Sequence, residues 1–283
     1  MKCTPTQAIV CHDPVEGKRQ WVLEPISIGE PDDFEAVVEI VASGICHTDL
    51  GCGTAPDGTP GFPVPKYPRV LGHEGAGYIR AVGKKVTKVI PGDAVLLSFA
   101  FCTKCHNCQF GAPGYCHKFT ELNFIGNNSA FPGSKAEPAQ QIGGSFFGQS
   151  SFAQLTRAQE TSIVKVTHLI KNREELGMFA PLGCGIQTGA GTITELAQAG
   201  PNDKVAIIGL GGVGLSAIMT GKQLMGSMEG GVYPEQYIPK MISWYKNSKF
   251  PVDRLIKFYP VKDYLKAIRD MEDGTTIKPI LLW

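Results

Sequence analysis

The stretch KVAIIGLGGVG, residues 204–214, decides the fold of one part of this chain. Lys204 to Ile208 is short and almost wholly apolar, as is typical of a strand buried on both faces of a parallel sheet. A G-x-G-x-x-G turn follows, and Leu215 to Leu224 has the composition of a helix. This order predicts the start of a dinucleotide-binding fold, with a pyrophosphate at the helix N-terminus; an ordinary tight turn between strand and helix is the alternative. The predicted cofactor contacts are Gly209, Gly211, Gly212, Val213 and Gly214.

The chain before this turn has the pattern of a β-rich domain. Short alternating apolar and polar runs occupy residues 8–45, 75–82 and 94–97, and Pro and Gly interrupt them. Such runs predict antiparallel strands in a barrel-like arrangement. Residues 118–150 are rich in Gly, Asn, Ser and Pro, which predicts irregular surface. After the turn, residues 234–247 and 262–272 are predicted to be helices and 277–282 a last strand, so we expect a mixed α/β protein.

Four cysteines spaced C-x2-C-x2-C-x7-C predict a structural zinc site. Four thiolates this close in sequence can surround one zinc ion tetrahedrally, with bonds of about 2.3 Å and no open position for a substrate. An iron–sulfur cluster fits less well because the last cysteine follows the third by eight positions and precedes His117 rather than proline. Four reduced thiols without a metal are the plain alternative. The four are Cys102, Cys105, Cys108 and Cys116.

Three separate segments offer ligands for a second, catalytic zinc. Such a zinc needs three protein ligands and one open position. Cys46, His73 and Cys184 make a Cys2His set, and Glu74 adds a carboxylate beside the histidine. Each of these residues alone could be an ordinary core residue. Together with a predicted dinucleotide turn, they favour a metal-dependent oxidoreductase.

Two residues that follow Cys46 are candidates for the chemistry. An alcohol gives up a hydride readily only as its alkoxide, and a zinc ion lowers the pKa of a bound hydroxyl by many units. The Thr48 hydroxyl could pass the released proton outward. Asp49 could fix the tautomer of a ligating histidine or cap a helix that starts near Thr48, and the residues alone leave both roles open.

The composition narrows the range of partners and compartments. The 283 residues are 43% hydrophobic and 19% charged, and their net charge is +1. The charged residues form no block of one sign, so we expect no nucleic-acid or membrane partner. No apolar run approaches the ~18 residues of a membrane span, and the N-terminus has no apolar secretory stretch. Six of the nine cysteines fall in metal-like settings, which fits a reducing compartment. These features predict a cytoplasmic protein that binds small molecules.

Six motifs together resemble the zinc-containing medium-chain alcohol dehydrogenases, in particular the branch that acts on aryl and benzyl alcohols. They are GICHTDL (44–50), GHEGAGYIRAVG (72–83), PGDAVLLSF (91–99), the four-cysteine spacing, PLGCGIQTGAG (181–191) and GLGGVG (209–214). The resemblance implies a GroES-like β-barrel catalytic domain and a Rossmann-type parallel sheet. It also implies two zinc ions per chain and NAD- or NADP-linked interconversion of an alcohol and its aldehyde.

The resemblance also assigns residue roles and domain limits. It implies that the Cys2His set binds the catalytic zinc, with Glu74 close to the metal. It puts Thr48 in the proton relay, His47 near the cofactor phosphates and Asp49 against the ligating histidine. The zinc catalytic domain would span residues 1–185, with the structural zinc lobe at about 100–118. A dinucleotide-binding domain would span 186–232, and residues 233–283 would return to the catalytic domain.

The sequence departs from the family pattern in two ways. Many members have a second relay histidine three residues after Thr48, where this chain has Gly51. The resemblance also breaks near Met219 and resumes near Gly221, so the Rossmann sheet is shortened by roughly ninety residues if a full one has six strands. The acidic residue that would contact the cofactor ribose is therefore not assigned.

Two functions remain open at this point. The first is a zinc-dependent oxidoreductase for an aromatic primary alcohol, in secondary metabolism of fungal type. The second is a catalytically impaired, zinc-stabilised protein that binds another protein or a second copy of itself. For the first, Phe99, Phe101 and Phe119 are candidates to line an aromatic pocket, although aromatic residues of a β-domain often belong to its core.

Overall fold

The computed structural model describes residues 3–59, 64, 66–132, 141–200, 203, 207, 209, 211–218 and 229–283. Its strands are β1 (Thr4–Val15), β2 (Lys18–Ile28), β3 (Glu35–Gly44), β4 (Arg69–Val70), β5 (Glu74–Val82), β6 (Ala94–Leu97), β7 (Asn127–Phe131), β8 (Ile142–Gly144), β9 (Leu155–Gln159), β10 (Ile163–Lys165), β11 (Ile256–Pro260) and β12 (Lys278–Leu282). Its α-helices are α1 (His47–Cys52), α2 (His106–Gln109), α3 (Arg173–Met178), α4 (Gly185–Gly191), α5 (Gly212–Ile218), α6 (Pro234–Lys246) and α7 (Tyr264–Glu272).

The strands form two sheets. The smaller has the order β2-β1-β4-β8-β7, and the larger has the order β10-β6-β5-β3-β12-β11, with β9 paired to the first half of β3. Most neighbours are antiparallel, as the alternating runs predicted, whereas β11 and β12 are parallel. The last strand, β12, pairs with the end of β3, so Ile280 lies opposite Gly44. This pairing brings the C-terminal strand beside the segment that carries the first predicted zinc ligand.

Two large apolar clusters stabilise this arrangement. One contains residues of the smaller sheet and of the four-cysteine lobe, including Ile9, Val70 and Cys108. The other contains residues of the larger sheet and of helices α3, α4 and α6. Helix α6 buries Tyr237, Ile238, Met241 and Ile242, a spacing that keeps one face of the helix on the core. Among the described residues, no helix has the length and apolar character that a membrane crossing requires.

The predicted nucleotide strand falls largely outside the described residues, since of residues 204–208 only Ile207 is among them. The predicted helix after the glycine turn is present as α5, which begins at Gly212, three residues earlier than the composition indicated. Helices α6 and α7 and strand β12 confirm the elements predicted after it. The prediction of irregular surface over residues 118–150 is wrong in part. Strands β7 and β8 lie there, and Phe146 and Phe147 are buried, because this segment closes over the first apolar cluster.

Candidate metal centres and cofactor turn

The four cysteines of the lobe converge on one point. Their ligand atoms all lie within 4.8 Å of one another. The Sγ atom of Cys108 lies 4.0 Å from that of Cys102 and 3.5 Å from that of Cys105. Four bonds of about 2.3 Å to one tetrahedral ion would separate the sulfur atoms by about 3.8 Å. The spacing therefore fits a single zinc ion.

Backbone amides of the lobe point at the same sulfur atoms. The N–H of Cys105 donates to Cys102 Sγ at 3.3 Å, and the N–H of Lys118 donates to Cys116 Sγ at 3.4 Å. The N–H of His117 donates to Cys105 Sγ at 3.5 Å and is the main reason that the pKa of Cys105 falls to about 6. Hydrogen bonds of this kind favour the thiolate form, which is the form that binds a metal.

The second cluster joins three distant parts of the chain. Cys46 immediately precedes α1, His73 immediately precedes β5, and Cys184 immediately precedes α4. The ligand atoms of these residues and of Glu74 all lie within 4.8 Å of one another. His73 and Glu74 are fully buried, and Cys184 is 8% exposed. The fold thus brings together the residues that the sequence proposed for the catalytic zinc, and their role as ligands stays a prediction.

The ring of His73 is held in one orientation. Its Nδ1–H donates to Asp49 Oδ1 at 2.9 Å, and Phe147 stacks on the ring with a centroid distance of 4.3 Å. Its Nε2 is buried and has no hydrogen-bond partner among the described residues. Burial lowers the pKa of His73, but Asp49 and Cys46 more than offset this and hold the pKa above its usual value. The site favours a positive charge at Nε2, which a metal ion would supply.

Asp49 makes the hydrogen bonds that both of the roles left open by the sequence would require. Its Oδ2 accepts from the N–H of Cys46 at 2.9 Å, which satisfies a backbone donor at the start of α1. Its Oδ1 accepts from His73 and also from the N–H of Gly72 at 3.0 Å. One fully buried carboxylate therefore ties two ligand-bearing segments together.

The two thiols of this cluster influence each other strongly. Contact with Cys184, followed by the charge of Lys278, holds the pKa of Cys46 well below its usual range, although burial opposes the shift. The same contact with Cys46, together with burial, raises the pKa of Cys184 well above its usual range. The opposite shifts arise because two adjacent thiolates would repel each other, so that only one thiol ionises readily. A divalent cation bound to both sulfur atoms would remove that repulsion.

Lys278 is a residue of this site that the sequence did not reveal. Its Nζ lies 2.8 Å from Glu74 Oε1 and 3.1 Å from Glu74 Oε2, and it donates to the Ile45 carbonyl at 3.3 Å. Burial lowers its pKa, but the negative charges of Glu74 and Cys46 have the larger combined effect. The pKa is therefore raised above its usual value, and the amine stays charged. Its position in an apolar strand gave no sign of this, because only the pairing of β12 with β3 brings it to the site.

Glu229 is a second residue whose place the sequence did not reveal. Its Oε1 lies 4.0 Å from Cys184 Sγ. Its Oε2 accepts from Gln187 Nε2 at 3.0 Å, and both residues are buried. Burial raises the pKa of Glu229 to about 7, against the opposing hydrogen bond from Gln187. The carboxylate belongs to the neighbourhood of the second metal cluster.

The glycine turn is open where a cofactor would have to approach. Gly209 has a φ of +93°, and no described heavy atom lies within 4 Å of the position that a Cβ on Gly209 or Gly211 would take. A Cβ on Gly214 would fall 2.0 Å from the Gly209 carbonyl oxygen, so only glycine permits this contact between turn and helix. A Cβ on Gly212 would lie 3.4 Å from Lys278 Cε. With respect to the described residues, the turn therefore has open space on one side and a buried cation beside it.

The glycine turn and the second metal cluster are neighbours. A Cβ built on Gly185, which follows Cys184, would lie 3.6 Å from Glu74 Oε1 and 3.8 Å from Val213 Cγ2. One backbone position thus contacts both the carboxylate of the metal cluster and a residue of the turn. A cofactor on the turn and an alcohol at the metal would be close enough to meet.

The predicted proton relay begins beside the metal cluster. Thr48 Oγ1 lies 3.6 Å from Cys46 Sγ and is partly exposed, while His47 is exposed. Gly51 is exposed as well and supplies no side chain. Thr48 and His47 therefore lie on the partly exposed side of the cluster, next to Cys46, and their relay role stays a prediction.

The aromatic residues proposed for a pocket belong to the core. Phe99, Phe101 and Phe119 are 0%, 4% and 6% exposed. Phe99 packs against the other two at centroid distances of 6.1 and 5.7 Å, and Phe119 reaches Phe147 at 6.2 Å. They support the aromatic wall that holds His73, so the interpretation as core is the one that the packing favours.

Comparison with known proteins agrees with this fold. Residues 32–168 match the family model of the alcohol dehydrogenase GroES-like domain. Geraniol dehydrogenase of Castellaniella defragrans is 43% identical over 198 residues, which are 70% of this chain and 50% of that protein. An alcohol dehydrogenase zinc-binding domain protein from Burkholderia ambifaria superposes with a TM-score of 0.87 at 27% identity, and benzyl alcohol dehydrogenase from Acinetobacter calcoaceticus with 0.83 at 28%. Each of these two alignments covers 99% of both chains.

The GroES-like domain and the mixed α/β architecture define an alcohol dehydrogenase fold. The chain belongs to the medium-chain zinc alcohol dehydrogenase family. It spans about half the length of the curated relatives it matches, 50% of one and 54% of another.

Proposed function

We propose that this chain is a zinc-dependent oxidoreductase that interconverts a primary, in particular aromatic, alcohol and its aldehyde with NAD or NADP. The observation that carries the proposal is the contact around Gly185, where the second metal cluster and the glycine turn meet. An enzyme of this class needs an alcohol oxygen at a metal and a nicotinamide beside it. A candidate metal site and a predicted pyrophosphate turn adjoin here, and this supports the proposal.

The donor set fits two zinc ions. The lobe offers four sulfur atoms at suitable separations, with amides directed at them. The second cluster offers two sulfur atoms, the buried and unpartnered Nε2 of His73, and one further position. When bound, zinc would supply Lewis-acid activation of the alcohol at the second cluster, and NAD or NADP would accept the hydride.

The residues around the second cluster would orient the ligands and exclude water. Asp49 keeps the proton of His73 on Nδ1, so that Nε2 can bind the metal. Phe146 and Phe147 cover the ring and keep that side dry. Thr48 would take the alcohol proton and pass it toward solvent through His47 or water, since Gly51 cannot replace a relay histidine.

Two features of the chain would contribute to cofactor binding: the glycine turn without side chains and the nearby charge of Lys278. Among the described residues, Gly209 and Gly211 leave room for a pyrophosphate, and the N–H groups at the start of α5 would donate to it. Lys278 adds a positive charge beside Gly212. Affinity for the whole cofactor should be weak if the shortened domain lacks the groups that hold ribose and adenine.

The substrate class is supported by the names of the similar proteins. Geraniol dehydrogenase and benzyl alcohol dehydrogenase both take primary alcohols whose carbinol carbon is attached to an sp² carbon. We propose that this chain takes the same class. Since all nine cysteines are unbridged, we place the reaction in the reducing cytoplasm.

The test combines metal content with turnover. Purified protein should hold about two zinc ions per chain and change the absorbance of NADH or NADPH with benzyl alcohol or benzaldehyde. A Cys46→Ser variant should lose one zinc and all turnover while keeping the zinc of the lobe. Two zinc ions without turnover, and without stabilisation of the fold by either cofactor, would reject the enzyme and favour a zinc-stabilised interaction protein.

A further inference from the structure

We propose that the Glu229 carboxylate is the fourth ligand of the metal at Cys46, His73 and Cys184 when no substrate is bound. This inference rests on the metal site of the proposed function and adds a resting-state ligand to it. The ligand would come from the segment after the glycine turn, far in sequence from the other three.

The position of the carboxylate suits this role. Glu229 Oε1 lies 4.0 Å from Cys184 Sγ, and an oxygen and a sulfur on one tetrahedral zinc ion are separated by about 3.5 Å. The other oxygen is held from behind by Gln187 Nε2 at 3.0 Å. Gln187 is itself fully buried and also donates to the Gly183 carbonyl at 2.8 Å. One oxygen is therefore anchored, and the other lies beside Cys184, one of the three proposed ligands.

Glu229 and Glu74 differ in whether a positively charged side chain pairs with them. Both carboxylates are buried, but both oxygens of Glu74 already pair with Lys278. In the described part of the chain, no lysine or arginine side chain makes an ion pair or a hydrogen bond with Glu229. A buried carboxylate needs a compensating charge, and the metal ion would be the nearest one.

The backbone holds Glu229 in an unusual conformation. Its φ is +51°, and Gly230 and Gly231 follow with φ of +72° and +64°. A Cβ on Gly230 would fall 2.4 Å from the Gln187 carbonyl oxygen, so this segment packs directly against α4. A non-glycine residue stays in the left-handed region only where the surrounding structure enforces it. The packing thus determines where the carboxylate lies.

With Glu229 as the fourth ligand, the resting metal would have no open coordination position. An alcohol, or any other small ligand, would first have to displace the carboxylate, and the energy of that displacement would lower the apparent affinity. Removal of the carboxylate should therefore open the position and weaken the hold on the metal itself.

The test uses cobalt in place of zinc, because the visible spectrum of Co²⁺ reports its ligands. The wild-type protein, Glu229→Gln and the exposed control Glu195→Gln are loaded with Co²⁺. Difference spectra against Cys46→Ser remove the contribution of the lobe. Imidazole, as the probe ligand, should bind Glu229→Gln roughly tenfold more tightly than wild type, and Co²⁺ should be held roughly tenfold more weakly. Glu195→Gln should match wild type.

Identical spectra, imidazole affinity and Co²⁺ affinity in wild type and Glu229→Gln would overturn the inference. If Glu229→Gln does not fold by circular dichroism, Glu229→Asp is measured instead, since it keeps the charge but withdraws the carboxylate by one methylene. Cobalt content that is the same in wild type and Cys46→Ser would reject the metal site, and with it the proposed function. Cobalt bound at Cys46 but insensitive to Glu229 would reject only the inference.

Discussion

Replacement of Lys278 by methionine should destabilise the protein by several kcal/mol. The amine is 2.8 and 3.1 Å from the two oxygens of Glu74, and the two residues are 5% and 0% exposed. Two charges at about 3 Å interact by roughly 5.5 kcal/mol at an effective dielectric constant of about 20. Loss of one partner from a buried pair costs about 3–5 kcal/mol, because the other charge stays buried. We expect a loss in this range at pH 7.5.

The loss should also depend on pH. In the wild-type protein, burial raises the pKa of Glu74 and the charge of Lys278 opposes that shift. Without the amine, the folded-state pKa of Glu74 rises further above its unfolded value. A group whose acid form is favoured in the fold contributes most to stability at low pH, and that contribution is lost as the pH rises through the folded-state pKa. The destabilisation by Lys278→Met should therefore be larger at pH 8 than at pH 5.

The assay is urea unfolding followed by circular dichroism, at fixed zinc concentration. Lys266→Met is the control, since that side chain is 57% exposed and should change stability by less than about 0.5 kcal/mol. The double variant Glu74→Gln with Lys278→Met should recover most of the loss, because it leaves no buried charge. If Lys278→Met is within 1 kcal/mol of the control, the reasoning about this ion pair is refuted.

Three further predictions concern the lobe, the histidine and the larger sheet. Cys105→Ser should reduce the zinc content by about one ion per chain and make the lobe sensitive to protease; unchanged zinc by atomic absorption would contradict the lobe site. Asp49→Asn should weaken metal binding at His73 about 10–100-fold in a chelator competition, and an unaltered affinity would show that the orientation of His73 does not matter. Asp93 accepts from the N–H of Ile90 at 2.9 Å and pairs with Lys165 at 2.8 Å; although burial opposes it, these contacts hold its pKa below the usual value. Asp93→Asn should therefore cost about 1–3 kcal/mol at pH 7, and the difference from wild type should shrink as the pH falls through the pKa of Asp93; a constant difference in urea unfolding from pH 7 to pH 3 would disprove the assignment.

The local part of the site was predictable from the sequence. Cys102, Cys105, Cys108 and Cys116 fall within fifteen residues, so a single turn-rich loop is enough to bring their sulfur atoms together. The strand and helix patterns predicted the antiparallel sheets and helices α6 and α7 because each depends on neighbours a few residues apart. Cys46, His73 and Cys184 were recognised by their types and flanking motifs, although nothing in their spacing brings them together.

The sequence by itself therefore determined the chemistry that is available: two sets of candidate metal ligands, a glycine turn and a β-rich scaffold. Only the tertiary structure decided which charges surround the second metal cluster. Lys278 is 204 positions from Glu74, and Glu229 is 45 positions from Cys184. Their contacts depend on the pairing of β12 with β3 and on the packing of residues 229–231 against α4. Such pairings are set by the burial of whole sheets and helices, and no local pattern around either residue encodes them.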